Sequence, residues 1–133
     1  MNKLFLATCV LFLILSACAS VTDKGRMEDL DEIIRSFDYA MMRADWRRAA
    51  DFIDPSKRQA DINFDQYKKI KVVDCKTARM IVSEDKLSAK REVDLQYFLV
   101  DRNILRAMQY KQAWKYNETA KGWIMESGLP VFE

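Results

Sequence analysis

The stretch Leu87-Ser88-Ala89-Lys90-Arg91-Glu92-Val93-Asp94-Leu95-Gln96-Tyr97 alternates in character almost without a break. Leu87, Ala89, Val93, Leu95, Tyr97 and then Leu99 are apolar and odd, while Ser88, Lys90, Glu92, Asp94 and Gln96 between them are polar. A period of two marks a strand with one face buried and the other in water. Past Asp101-Arg102-Asn103 the apolar set turns even: Ile104, Met108, Tyr110, Trp114 and Tyr116. A turn of two or four residues around 101–104 lets the odd set face the even set across a hairpin. It predicts Tyr97 opposite Met108, Leu95 opposite Tyr110 and Arg91 opposite Trp114. That last pair sets a guanidinium against an indole, a contact of about 0.5–2 kcal/mol. Across Asn117 to Gly122 the same rule predicts Tyr116 opposite Trp123 and Trp114 opposite Met125, so three strands share one apolar face.

Upstream, Ile70 to Val82 is less regular. Pairing it through a turn at Glu84-Asp85 points Ile70, Val72, Ala78, Met80 and Val82 inward, but Asp74 and Lys76 as well. Either a bulge shifts the phase so that Val73 and Cys75 face the core, or Asp74 and Lys76 line a cavity as a pair. Before this strand the period lengthens: Met27, Leu30, Ile34, Phe37, Met41 and Ala44 recur at three and four, the stripe of an amphipathic helix. Asp45 then caps a second helix through Ile53, which Asp54-Pro55 ends because a residue before proline is driven from helical geometry. The expected fold class is α+β: an N-terminal helical hairpin packed on one face of a curved antiparallel β-meander.

Within this pattern the chain resembles the NTF2-like (cystatin-like, SnoaL-type) superfamily over most of residues 27–132. The likeness is carried by Ile33-Ile34-Arg35-Ser36-Phe37-Asp38-Tyr39-Ala40, Ala44-Asp45-Trp46-Arg47-Arg48-Ala49-Ala50 and Asp54-Pro55. Downstream it is carried by Gln112-Ala113-Trp114-Lys115-Tyr116, Gly122-Trp123-Ile124-Met125 and Gly128-Leu129-Pro130. These are packing patterns rather than catalytic motifs. The resemblance implies a sheet wrapped around a helix as a cone, an open end that often holds a pocket, and homodimers through the sheet. The superfamily contains isomerases, dehydratases, transport adaptors and small exported proteins, so fold alone leaves the activity open.

The chain opens on a different kind of signal. Met1-Asn2-Lys3 is a short positive start, Leu4 to Leu15 is apolar apart from Thr8, and polarity returns by Ser20 to Lys24. That is the layout of a secretory signal, too short to span a bilayer comfortably. Leu15-Ser16-Ala17-Cys18 resembles the lipobox of bacterial lipoproteins. The resemblance implies that Cys18 accepts a diacylglycerol on its sulfur, that cleavage falls just before it, and that a palmitate-type chain then acylates its new amino group. Two or three chains hold a membrane far more firmly than one. Residues 1–17 are thus expected as signal peptide, 18–25 as a lipidated tether and 26–133 as the domain. Ala19, in place of an aspartate, favours the periplasmic face of the outer membrane over the inner one.

Composition removes several functions. Twenty-two basic against 20 acidic residues give a net charge of +2, without the strong basic excess of a nucleic-acid binder. With Cys9 in the signal and Cys18 lipidated, Cys75 is the remaining thiol and has no internal partner; it reads as a small buried hydrophobe or an intermolecular bridge. No histidine is present, which removes the His-based nucleophile systems and the commonest metal ligand. The acidic cluster Glu28-Asp29-Asp31-Glu32 lacks a calcium loop's spacing, and no metal or cofactor is expected.

The leading expectation is a non-catalytic envelope lipoprotein, anchored by lipid, that binds a partner protein or a small apolar ligand. Arg91, Tyr97, Tyr110 and Trp114 are the candidate pocket lining, or core aromatics on the plainer view. Arg43, Arg47 and Arg48 at the helical corner are a candidate contact patch, or a solvated face. The alternative is a small acid–base enzyme of the isomerase or dehydratase type acting on a hydrophobic substrate. It needs an inward carboxylate, for which Asp74 is the one strand candidate, and a tyrosine donor. An outward Asp74 or a fully plugged inner face argues against it.

Overall fold

The computed structural model describes the backbone from residue 2 and the side chains of residues 22–133; the signal segment and Cys18 lie outside the described side chains. Two helices, α1 (Asn2–Met42) and α2 (Trp46–Asp51), and a 3₁₀ turn (Phe64–Tyr67) precede β1 (Ile70–Val82), β2 (Ser88–Leu99), β3 (Ile104–Asn117) and β4 (Gly122–Met125). The strands form one antiparallel sheet in the order β1-β2-β3-β4. The fold is α+β, a helix followed by an open four-stranded meander. Among the described residues no helix is long and apolar enough to cross a membrane.

The helical stripe is buried as its spacing requires: Leu30, Ile34, Phe37 and Met41 are all in the core. Phe37 is the hub. Its ring meets Phe52 at 5.7 Å and Trp114 at 5.8 Å, both edge-on, and Tyr110 at 6.4 Å. Such contacts add about 0.5–1.5 kcal/mol each beyond the area buried. Ala44 departs from the stripe. It is exposed, with φ 57°, and closes α1: its N–H donates to Met41 O at 3.0 Å while Asp45 N–H reaches Ala40 O at 2.9 Å. This is the left-handed helix stop usually given to glycine, taken by alanine at some strain.

Asp45 does cap α2, accepting from Arg48 N–H at 3.2 Å. The helix ends earlier than the proline suggests, because the chain leaves to meet the sheet. Met125 N–H donates to Phe52 O and Asp54 N–H to Met125 O, both at 2.8 Å, so Ile53 forms a parallel bridge on the outer edge of β4. At the other end, Thr22 to Gly25 are helical rather than extended, continuing α1 above its expected start at Met27. Arg26 explains the hold: its carbonyl accepts the Trp123 indole N–H at 3.0 Å, its guanidinium lies 5.5 Å from the Tyr116 ring, and it bridges Asp23 at 3.3 Å.

The last hairpin pairs as predicted, Tyr116 with Trp123 and Trp114 with Met125. The central hairpin is corrected by two residues: Leu95 lies opposite Met108, Val93 opposite Tyr110, Ala89 opposite Trp114, and Arg91 opposite Gln112. Faces survive a slip of two, so the inward set is the expected one. The cause is the turn. Residues 100–103 form the loop, Arg102 N–H donates to Leu99 O at 3.2 Å, and Asn103 adopts φ 55°, which asparagine tolerates, so that Leu99 pairs with Ile104.

Strand β1 resolves its ambiguity with two bulges. The register shifts between Val72 and Asp74 and again between Thr77 and Arg79. Ile70 and Val72 point inward, then Cys75 and Thr77 opposite Leu95 and Val93, then Met80 and Val82. The bulge brings Cys75 in, as expected, but Val73 and Ala78 are exposed bulge residues, and Asp74 and Lys76 face outward.

Candidate functional site

The inner face is closed by side chains and by the chain's own end. Arg91, Tyr97, Tyr110 and Trp114 all lie on it, each at most 5% exposed, and none borders the three clefts around the loop before β1. Residues 127–133 run back across the face, held by three tyrosine hydroxyls. Tyr110 donates to Gly128 O at 2.6 Å, Tyr67 to Pro130 O at 3.2 Å and Tyr97 to Glu133 O at 3.3 Å. Phe132 fills the space between them, with its ring 4.7 Å from Tyr97, 5.6 Å from Trp46 and 6.1 Å from Tyr67. Burial raises the pKa of both Tyr67 and Tyr110, so these hydroxyls stay neutral donors.

Arg91 has a different partner from the one its phase predicted. It is 3% exposed and grips Asp38 of α1 bidentately, Nη1 to Oδ1 at 2.8 Å and Nη2 to Oδ2 at 2.7 Å. Its Nε donates to Thr77 Oγ1 at 2.8 Å, and Nη1 also reaches Gln112 Oε1 at 3.2 Å. That same oxygen accepts the Trp114 indole N–H at 3.0 Å, so arginine and indole share an acceptor rather than stacking. Burial alone would lower the Arg91 pKa; the Asp38 carboxylate more than offsets it, and the net direction is up. Cys75 adjoins this pair, and burial, then the charge of Asp38, push its thiol up to about 12. It is protonated at neutral pH and a poor nucleophile.

Asp38 and Gln112 are the members that sequence reasoning missed, and both carried a signal. Asp38 lies four residues after Ile34 and three before Met41, on the buried stripe; Gln112 is even, in the inward phase between Tyr110 and Trp114. A charged or amide residue in an apolar phase needs a buried partner.

Asp74 is exposed and accepts from Cys75 N–H at 3.0 Å. The acid–base reading therefore lacks the base assigned to it, and Asp38, the carboxylate that does face inward, has both oxygens engaged by Arg91. The corner arginines are all exposed and have separate neighbours: Arg43 lies over the Tyr39 ring at 5.4 Å, Arg47 lies over the Phe64 ring at 4.7 Å, and Arg48 stands on α2. Among the described residues no cluster of three or more His, Cys, Asp or Glu could hold a metal ion.

Three clefts border the loop before β1. A cleft of about 500 Å³ separates residues 57–66 from the 128–132 segment, with Ile53, Ile62, Ile70 and Phe132 in its wall and Lys57 and Arg58 at its rim. A second, of about 580 Å³, lies across the same loop between Arg47, Asp51, Asp61 and Phe64; a third, of about 270 Å³, borders Asp45, Trp46, Asp65 and Lys68. In comparisons with known proteins the chain matches no family model, no curated protein and no solved structure.

Proposed function

We propose that this chain is a lipid-anchored envelope protein, carried by Cys18 on the periplasmic face of the outer membrane, whose NTF2-like domain is a non-catalytic binding module. Its occupant is a partner protein or a small apolar ligand. The observation that carries the reading is the closed inner face, where residues 127–133 and their three tyrosine ties occupy the ground an acid–base site would need. The outward Asp74 weighs against the isomerase or dehydratase alternative. Exposed Leu105 and half-buried Phe98, which pair on the outer sheet face, suit a homodimer through the sheet.

Affinity purification of the native lipidated protein, with mass spectrometry of co-purifying proteins and extracted small molecules, tests the reading. A recurrent partner or ligand is expected; a lone protein with nothing extracted overturns it. Cys18→Ser is expected to move the folded chain out of the membrane fraction, and an unchanged membrane fraction refutes the anchor.

A further inference from the structure

The three clefts differ in charge. The two lined by Arg47 also carry carboxylates, Asp51 and Asp61 in one, which Arg58 borders as well, and Asp45 and Asp65 in the other. The cleft between residues 57–66 and 128–132 has two cations in its lining, Lys57 and Arg58, and no carboxylate. Lys57 reaches Glu126 at 3.5 Å, outside that lining. Arg58 is loosely held: Nη2 reaches Ile53 O at a long 3.4 Å, Nη1 forms an ion pair with Asp51 at 3.6 Å, beyond hydrogen-bond range, and its buried Nε has no partner among the described residues. A guanidinium offers five donors in a fork that fits a carboxylate, and a buried donor without an acceptor is costly. Behind this rim the wall sets Ile53, Ile62, Ile70 and Phe132 beside Gln59, Asn63 and Gln66. Its volume of about 500 Å³ falls in the range of small-ligand pockets.

We infer that this cleft binds a single-chain amphiphile with a carboxylate head, a fatty acid being the simplest. The head sits on Arg58 with Lys57 beside it, and the chain lies along the apolar side chains of that wall toward Phe132. The inference deepens the binding-module reading and rests on it.

The test uses the full chain in phospholipid nanodiscs, irradiated with a diazirine-bearing palmitate and digested so that labelled peptides can be mapped. Labelling is expected within residues 59–67 and 128–132, with palmitate competing about ten-fold better than hexadecanol, the same chain without charge. Arg58→Gln is expected to lower labelling of those peptides about ten-fold, as loss of one charge-assisted contact does. Arg58→Lys retains most of it, and Lys90→Gln on the outer sheet face leaves it unchanged. An unshifted melting curve for Arg58→Gln separates lost binding from lost fold. Equal competition by hexadecanol, or undiminished labelling of Arg58→Gln, overturns the carboxylate assignment while leaving an apolar-ligand module standing. Absence of label from both segments overturns the site itself, and the purification experiment then decides the module reading on its own.

Discussion

Arg91 and Arg58 are the same residue put to opposite uses. Arg91 is sealed beneath α1, and Asp38, Thr77 and Gln112 together take all three of its nitrogens at 2.7–3.2 Å. Arg58 borders a cleft, its contacts are long, and one buried donor goes unmatched. A charge enclosed with its counterion belongs to the architecture; a charge beside open space and short of acceptors is available to something else. The contrast tells which end of the molecule to search for a ligand.

The first way to break the comparison is to strand Arg91. Asp38→Ala leaves a buried guanidinium without its carboxylate and is expected to cost about 3 kcal/mol in urea unfolding. Asp38→Leu combined with Arg91→Met should recover most of that, since replacing both partners removes the uncompensated charge. A single variant near wild-type stability would show that the pair is not structural. The neighbouring thiol gives a pH test on the same cluster. Folding raises the Cys75 pKa from the ordinary 9 to about 12, so the folded state keeps a proton that the unfolded state releases. This contribution is intact below about pH 9 and falls away between about 9 and 12. Urea midpoints for wild type and Cys75→Ala should diverge across that window; parallel curves would mean that Cys75 is not enclosed with the pair.

Smaller effects sharpen the other side. Tyr110→Phe removes the 2.6 Å tie to Gly128 and is expected to cost about 1 kcal/mol by denaturation, while hydrogen exchange rises in residues 127–133. Least of all, Arg58→Met is expected to stay within about 0.5 kcal/mol of wild type. A loss as large as that of Asp38→Ala would make the two arginines equivalent and end the distinction.

Legibility followed the range of the interaction. Parity along Leu87–Leu99 and Ile104–Tyr116 placed each side chain on its face, since alternation is a property of the single strand. The amphipathic stripe from Leu30 to Met41 and the cap at Asp45 were local in the same sense. The pairing of Arg91 was not. It depended on a left-handed Asn103 in a four-residue loop, which moved the guanidinium from Trp114 to Gln112 without changing any face. The bulge after Val72 turned Asp74 outward, a choice between two arrangements the alternation left open.

The sequence by itself determined the α+β class, the inward and outward sets of β2 and β3 and the final hairpin register, because each is written in neighbouring residues or a short repeat. Only the tertiary structure decided that Asp38 meets Arg91, residues 53 positions apart in the chain. It alone laid residues 127–133 under Tyr67, Tyr97 and Tyr110. It also left Arg58 facing a cleft with no carboxylate in its wall. Those outcomes follow from turn geometry and from how a helix and a sheet meet, which no stretch of sequence encodes alone.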